Sequence, residues 1–315
     1  MKILITGING FVGTNLVKAF RDKYTLYGID IASDVQDGVV SVDSWSDLNL
    51  APDADVLIHL AGKAHDTINN TAEQEYFDIN FGLTKKIFDL FLKSGAKKFI
   101  FFSSVKATAD TVTEVELTEE TIPAPQTPYG KSKLEAERYI LSQNVSSDKK
   151  VFILRPCMIH GQGNKGNLNL LYNMVKKGIP YPLGAYSNRR SFTSVQNLNW
   201  IVEQLMVQDI PSGIYQVADD EPLSTNQLIY MMAETLHRKE QIWNISPKMI
   251  NHLARLGDLL HLPLNSERLK KLTESYVVSN NKIKKALDIE SMPVTAEQGM
   301  RATLQEFRNS KAGKI

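Results

Sequence analysis

The sequence predicts an α/β protein: a doubly wound parallel sheet followed by a smaller mixed α/β lobe. Three observations carry that expectation. Short β-branched runs alternate with helical patterns from Lys2 to about Gly161, as in a parallel sheet covered on both faces. The first run leads straight into Gly7-Ile8-Asn9-Gly10-Phe11-Val12-Gly13 and then a helical pattern. The second run ends on a carboxylate, Asp30, about 20 residues beyond those glycines.

The elements follow in order. In the G-x-x-G-x-x-G turn, Gly7 permits the tight bend and Gly10 lets backbone approach a pyrophosphate. Gly13 lets the following helix pack closely on the strand. The pyrophosphate of a dinucleotide then rests on a helix N-terminus, where free N–H groups favour anions, and Asn9, Phe11 and Val12 belong to the same cradle. This is the Rossmann-type arrangement. Asp30 can accept from both ribose hydroxyls and repels a 2′-phosphate, which favours NAD(H) over NADP(H); the plainer role for it is capping a turn at a strand end. A third strand is expected over residues 38–43, with Asp43 as an adenine contact. A fourth, over residues 55–62, closes on Leu60, Ala61 and Gly62, small enough at its end for a cofactor to lie against the backbone. His59, inside that apolar run, is expected as a hydrogen-bonded core residue rather than a ligand or acid. Lys63 and His65 in the next loop are candidates near the phosphates or substrate.

A helix over residues 71–94 follows. Phe77, Phe81, Ile87, Phe88 and Phe91 serve a core or dimer face, while Asn80 faces the sheet within reach of a ribose, and Gly95 ends the helix. The apolar run 98–102 delivers Ser103 and Ser104 to the carboxyl end of a buried strand, where ligands gather in such sheets. After a polar, acidic loop over residues 108–128, Tyr129 and Lys133 stand four apart at the start of a helix and so share one face. A phenol, with an unperturbed pKa of about 10, is a poor base until a nearby ammonium favours its phenolate. So tuned, Tyr129 can take a proton from an alcohol whose carbon loses hydride. An isolated Tyr-x-x-x-Lys pair is commonplace; its place behind the glycine turn and a serine-ended strand is what singles it out.

The strand 151–154 ends at Arg155-Pro156, and beyond Gly161 the character changes. Residues 161–167 form a glycine- and asparagine-rich loop suited to a polar ligand. Arg189 and Arg190 precede a strand-like 191–195 and suit bidentate phosphate binding. Residues 247–260 make an amphipathic stretch that suits a membrane or partner face, with a covered core helix as the first expectation. The expected division is a cofactor domain over 1–165, completed by about 190–215, and a substrate lobe from 166–189 and 216–315.

Bulk properties narrow the classes. With 36 basic and 35 acidic residues the net charge is +1, which offers no general pull on nucleic acid or an anionic membrane. Any positive charge that matters is local. The single cysteine, Cys157, excludes an intrachain disulfide and a cysteine-based metal site, and no metal is expected. No secretory pattern opens the chain, and no apolar run reaches the roughly 18 residues of a membrane span. Cytoplasm is therefore the expected compartment.

With Thr6-Gly7-x-x-Gly10-x-x-Gly13, Asp30, His59-Leu60-Ala61, Asn80, Ser103-Ser104 and Tyr129-x-x-x-Lys133, the chain resembles the extended short-chain dehydrogenase/reductase superfamily. Within it, the chain is most similar to the NAD-dependent epimerase/dehydratase branch acting on nucleotide sugars. The resemblance runs to about Leu287. It implies NAD as cofactor, with Asn80 and Lys133 at the nicotinamide half, and a homodimer formed through helices around 83–92 and 129–141. It further implies that Ser104 assists Tyr129 at the substrate oxygen, and that Lys106, Asn167 and Arg190 contact a UDP-sugar. The implied reaction is hydride chemistry at C4 of a UDP-hexose or UDP-N-acetylhexosamine, giving the 4-epimer. A 4-keto-reductase of a UDP-6-deoxy-N-acetylhexosamine uses the same residues, and a non-catalytic NAD-binding scaffold is the reading from another class. Two departures bear on the sugar: Ala107-Thr108-Ala109 stands where many members have Val-Tyr-Gly, and His160-Gly161 where a second Tyr-Gly is usual. Val105-Lys106 replaces the Asp-Glu of the dehydratases, so elimination across C5 and C6 lacks its acid and base.

Overall fold

A computed structural model describes residues 1–45, 54–64, 73–112, 114–164, 166–260 and 265–309. The strands are β1 (Lys2–Thr6), β2 (Thr25–Asp30), β3 (Val39–Ser44), β4 (Val56–His59), β5 (Lys98–Phe102), β6 (Lys150–Pro156), β7 (Met158–His160), β8 (Phe192–Ser194) and β9 (Gly213–Val217). Seven form one wholly parallel sheet in the order β3-β2-β1-β4-β5-β6-β9. The chain winds outward from β1 to β3, returns, and winds the other way from β4. The switch point therefore lies between β1 and β4, where a doubly wound sheet opens a crevice at its carboxyl ends.

Period-two alternation divides the sheet residues between two cores. Ile3, Ile5, Val56, Ile58, Ile100 and Phe102 point to one face, which is covered by α1 (Phe11–Phe20) and other helices. Leu4, Leu57, Phe99, Phe101 and Ile153 point to the opposite face. There they meet α3 (Thr84–Lys93) and α4 (Pro128–Ser142), α3 being the continuation of the short α2 (Glu73–Tyr76). Phe88 and Phe99 meet edge to face with ring centres 4.9 Å apart, a geometry that adds to the roughly 1.5–3 kcal/mol of burying each ring.

The helix expected over 71–94 is described from Glu73, and it is not regular. Phe77–Leu83 is a π-helical stretch between α2 and α3. β4 stops at His59 rather than Gly62, because the chain must leave the sheet where Gly7 packs against it. Gly7 adopts φ +72°, and a Cβ there would lie 2.9 Å from the Ala61 nitrogen. The strand expected over 191–195 forms as β8 but pairs with β7, outside the large sheet.

A second core gathers residues of α5 (Asn167–Lys176), α7 (Thr225–Thr235), α8 (Pro247–Leu260), α9 (Ser266–Thr273) and α11 (Ala296–Asn309). α6 (Val195–Val207) and α10 (Asn281–Ala286) instead place Leu198, Ile201 and Ile283 in the core under the sheet. α8 departs from the covered helix expected: among its described residues only Ile250 and Ala254 are buried, and its leucines stand in solvent. No helix among the described residues is long and apolar enough to cross a membrane.

Candidate active site

The glycine turn leaves β1 beside the switch point and enters α1. Gly10 caps that helix without any side-chain bond, and the first turn carries no acidic residue. The leading N–H groups, those of Phe11, Val12 and Gly13, precede the first i→i−4 partner and stay available to an anion. A Cβ on Gly13 would lie 2.3 Å from the Ile8 carbonyl oxygen, so the turn tolerates no larger residue there. Asp30 closes the adenosine side. One carboxylate oxygen accepts from Asn9 N at 2.8 Å and the other from Ile31 N at 2.7 Å. The capping role and the ribose role thus fall on one side chain, which retains lone pairs for hydroxyls. Asp43 lies on the adjoining β3. Residues 31–37 contain no lysine or arginine to hold a 2′-phosphate. These donors and carboxylates fit NAD.

At the opposite wall the chain leaves β4 through Leu60, Ala61 and Gly62. Asn80, wholly buried in the π stretch, donates to Lys63 O at 3.0 Å and to Ser132 Oγ at 3.0 Å, and accepts from Lys63 N at 2.7 Å. It thereby ties the β4 loop to α4. His59 Nδ1 pairs with Thr6 Oγ1 at 2.6 Å and Nε2 with Thr84 Oγ1 at 2.9 Å. Burial pushes its pKa down to about 3, with the Lys133 charge adding to the shift. It is the hydrogen-bonded core residue expected. Lys63 pairs with Glu75 at 2.5 Å, while His65 lies outside the described residues.

Ser104, Tyr129 and Lys133 come together beyond the end of β5. The Ser104 hydroxyl hydrogen-bonds the Tyr129 phenol, and its Oγ accepts from Lys106 N at 3.2 Å. Thr127 caps α4 by accepting from Gly130 N at 3.3 Å, with Pro128 in the first turn, which fixes Tyr129 at the helix start. Lys133 Nζ donates to Phe102 O at 2.8 Å and lies 5.0 Å from the centre of the Phe101 ring. Nζ also sits 3.0 Å from where a Cβ on Gly62 would be, so the ammonium and the backbone approach each other only because residue 62 lacks a side chain.

The electrostatics correct one expectation. Burial raises the Tyr129 pKa, the Ser104 hydrogen bond lowers it, and the nearby Tyr76 phenol raises it; Lys133 is not among the causes. The Tyr76 and Tyr129 rings lie 6.4 Å apart, edge to face. Lys133 is itself pushed down to about 8, by burial and against the Glu137 carboxylate, which raises it. In the protein alone, the serine rather than the lysine favours the phenolate.

Glu137 is the functional neighbour that pattern reading missed. It stands four residues beyond Lys133 and eight beyond Tyr129, on one face of α4. Arg155 on β6 grips it through Nε at 2.9 Å and Nη2 at 2.5 Å, and the Ser103 hydroxyl donates to the same carboxylate. Both charged residues are at most 2 % exposed. The i, i+4, i+8 spacing was the available signal for Glu137, but nothing marked Arg155 as its partner.

The expected substrate residues separate. Lys106 Nζ donates to Asp110 O at 2.8 Å and lies 4.4 Å from the centre of the Tyr276 ring. Its pKa is lowered by burial, and Arg190 is close enough to lower it further. Arg190 spends Nη2 on Lys271 O and Nε on Glu274 O at 3.4 Å, so its fork is partly occupied by backbone. Asn167 opens α5 exposed, with no contact to Lys106 or Arg190 among the described residues. In the glycine-rich loop, Lys165 lies outside the described residues. Gln162 binds α1, accepting through its carbonyl from Asn15 at 3.0 Å and through its side chain from Lys18 at 2.7 Å.

Known proteins resemble this chain over nearly its whole length. A UDP-glucose 4-epimerase of Vibrio cholerae is 30 % identical over 318 residues, covering 97 % of this chain and 95 % of that protein. An N-acetyl-alpha-D-glucosaminyl-diphospho-ditrans,octacis-undecaprenol 4-epimerase of Escherichia coli O157:H7 is 27 % identical over 99 % of this chain and 97 % of its own. Among solved structures, MoeE5 in complex with UDP-glucuronic acid and NAD superposes with a TM-score of 0.75 at 20 % identity, covering 98 % of this chain and all of that one; this likeness is one of fold. The sequence pattern of one family matches residues 3–218, from the first strand through the seventh strand of the sheet. That stretch contains the glycine turn, Ser104, Tyr129 and Lys133, and the chain belongs to the NAD-dependent epimerase/dehydratase family.

Proposed function

We propose that the chain is an NAD-dependent 4-epimerase of a UDP-linked hexose or N-acetylhexosamine. The observation that carries this reading is the meeting of the buried Ser104 and Lys133 with the part-buried Tyr129 at the carboxyl end of β5, beside the glycine turn, in a chain alike over 97 % of its length to a UDP-glucose 4-epimerase. NAD, when bound, supplies the hydride acceptor and donor. Gly7, Asn9, Gly10, Phe11, Val12 and Gly13 hold its pyrophosphate, Asp30 its adenosine ribose and Asp43 its adenine. Leu60, Ala61, Gly62, Asn80 and Lys133 hold its nicotinamide half. Tyr129 takes the C4 hydroxyl proton and later returns it, and Ser104 hydrogen-bonds the same oxygen throughout. Arg190, Lys106 and Asn167 anchor the diphosphate while the sugar turns its other face.

In this reading residues 166–189 and 216–315 form the sugar-side lobe, with α10 leaning back on the sheet; the protein works as a cytoplasmic homodimer. A sugar diphosphate carried on a polyprenol, as named for the Escherichia coli relative, is a second reading. It is favoured by the apolar stripe that α8 exposes.

Purified protein is expected to interconvert UDP-glucose and UDP-galactose, or their N-acetylated forms, without added nicotinamide. Tyr129→Phe is expected to lower turnover by about 10²- to 10⁴-fold while NAD binding persists. Consumption of added NADH only with a 4-keto sugar would replace the epimerase by a reductase. Full activity in Tyr129→Phe would overturn the residue assignment.

A further inference from the structure

Among the described residues of α8, Ile250 and Ala254 are the buried ones, a narrow line along the helix. Met249, Leu253, Leu256 and Leu260 recur at intervals of four, three and four, so they form one stripe along the helix. Each is about half exposed or more, while Leu259, 74 % exposed, lies about 90° round the helix from them, between His252 and Lys248. Continuing round the helix on the solvent side come His252, Lys248 and Arg255, at roughly 70° to 130° from the stripe given 3.6 residues per turn. The one acidic residue of α8, Asp258, lies almost opposite the stripe. It is committed to the start of α9, accepting from Ser266 N at 3.0 Å and from the Ser266 hydroxyl at 2.5 Å.

An uncovered apolar line with cations along one margin, and its acid turned away, is the pattern of a helix lying in a membrane interface. Leucines enter the acyl boundary while lysine and arginine reach the headgroups. A second copy of this chain is a poorer cover. A two-fold contact would set Lys248 and Arg255 of both copies round one apolar patch, with no acid of α8 to answer them. With a whole-chain charge of +1, attraction to an anionic surface must come from such a local set.

The helix also has a place relative to the sugar site. The Tyr186 hydroxyl lies 3.4 Å from both Pro247 O and Asn251 Oδ1 of α8. Four residues further on, Arg190 donates to backbone carbonyls at the end of α9 and just beyond it. Four residues of chain span at most about 14 Å, so α8 lies close to the residue assigned to the diphosphate.

We propose that α8 seats the enzyme on an anionic bilayer, its stripe from Met249 to Leu260 at the acyl boundary and Lys248 and Arg255 among the headgroups. The proposal holds whichever carrier the sugar diphosphate has.

The test mixes the full chain with vesicles of phosphatidylcholine, alone or with phosphatidylglycerol, and measures pelleting. Wild type is expected to pellet with the phosphatidylglycerol vesicles. Lys248→Ser and Arg255→Ser should each weaken binding about fivefold. Leu253→Glu/Leu256→Glu should weaken it about tenfold or more, leaving UDP-sugar turnover in solution unchanged. Leu260→Glu, at the most exposed position of the stripe, repeats the test if the double variant fails to fold. Absence of pelleting by wild type, or equal pelleting by the leucine variants, overturns the proposal. So does dissociation of a dimer by Leu253→Glu/Leu256→Glu without vesicles, which assigns the face to a second copy.

Discussion

His59 shows how a single side chain sets a pH dependence. Buried between Thr6 and Thr84, it is held neutral, with its pKa near 3 against about 6.5 in an unfolded chain. Between those values the unfolded state binds a proton that the folded state refuses. Stability therefore falls as pH drops from 6.5 toward 3, by up to about 1.4 kcal/mol per pH unit. Urea midpoints measured across that range should show this slope in wild type and its absence in His59→Gln; parallel curves would mean that His59 is not the neutral group. The role was legible in the sequence, because a histidine inside Val56–His59 has apolar neighbours and no acidic ones. Tyr129 was legible in position but not in charge state. Spacing says that Lys133 is close; it does not say that Lys133 Nζ turns to Phe102 O and leaves the phenol to Ser104.

α4 organises chemistry along one face: Tyr129, Lys133 and Glu137 follow each other turn by turn, and Arg155 of β6 closes the row. Removing one member of a buried pair leaves an uncompensated charge. Glu137→Gln is expected to cost about 3–5 kcal/mol in urea unfolding, and Glu137→Met/Arg155→Met much less than the sum of the single changes. Additive losses would show that the two residues act separately. This clamp escaped pattern reading because its halves lie on different elements, 18 residues apart. The π stretch Phe77–Leu83 escaped it too, since period counting assumes one helical geometry; there Asn80 reaches both the β4 loop and Ser132. α8 illustrates a third limit: amphipathy tells which side of a helix is apolar, not whether anything covers it.

For the whole molecule, the doubly wound parallel sheet was readable from the alternation of elements, while the strand order came from the structure. Membership of the outermost strand was not, because β8 and β9 are both short and apolar. Assembly belongs to this scale. α3 and α4 lie side by side, with Lys85 5.3 Å from the Tyr139 ring centre and Leu141 57 % exposed. The homodimer proposed through them predicts a dimer at micromolar concentration in sedimentation equilibrium, converted to monomer by Leu141→Glu; a wild-type monomer would refute it.

The late arrival of β9 has a consequence during synthesis. β6 has β5 on one side and gains its other neighbour only with Gly213, 57 residues after Pro156. At translation speeds of about 5–20 residues per second, a nascent chain carries an apolar sheet margin unpaired for roughly 3–11 seconds. Such a margin is a template for foreign strands. Truncation before residue 213 makes it permanent, so shortened transcripts of this gene are expected to yield aggregates rather than a smaller soluble domain.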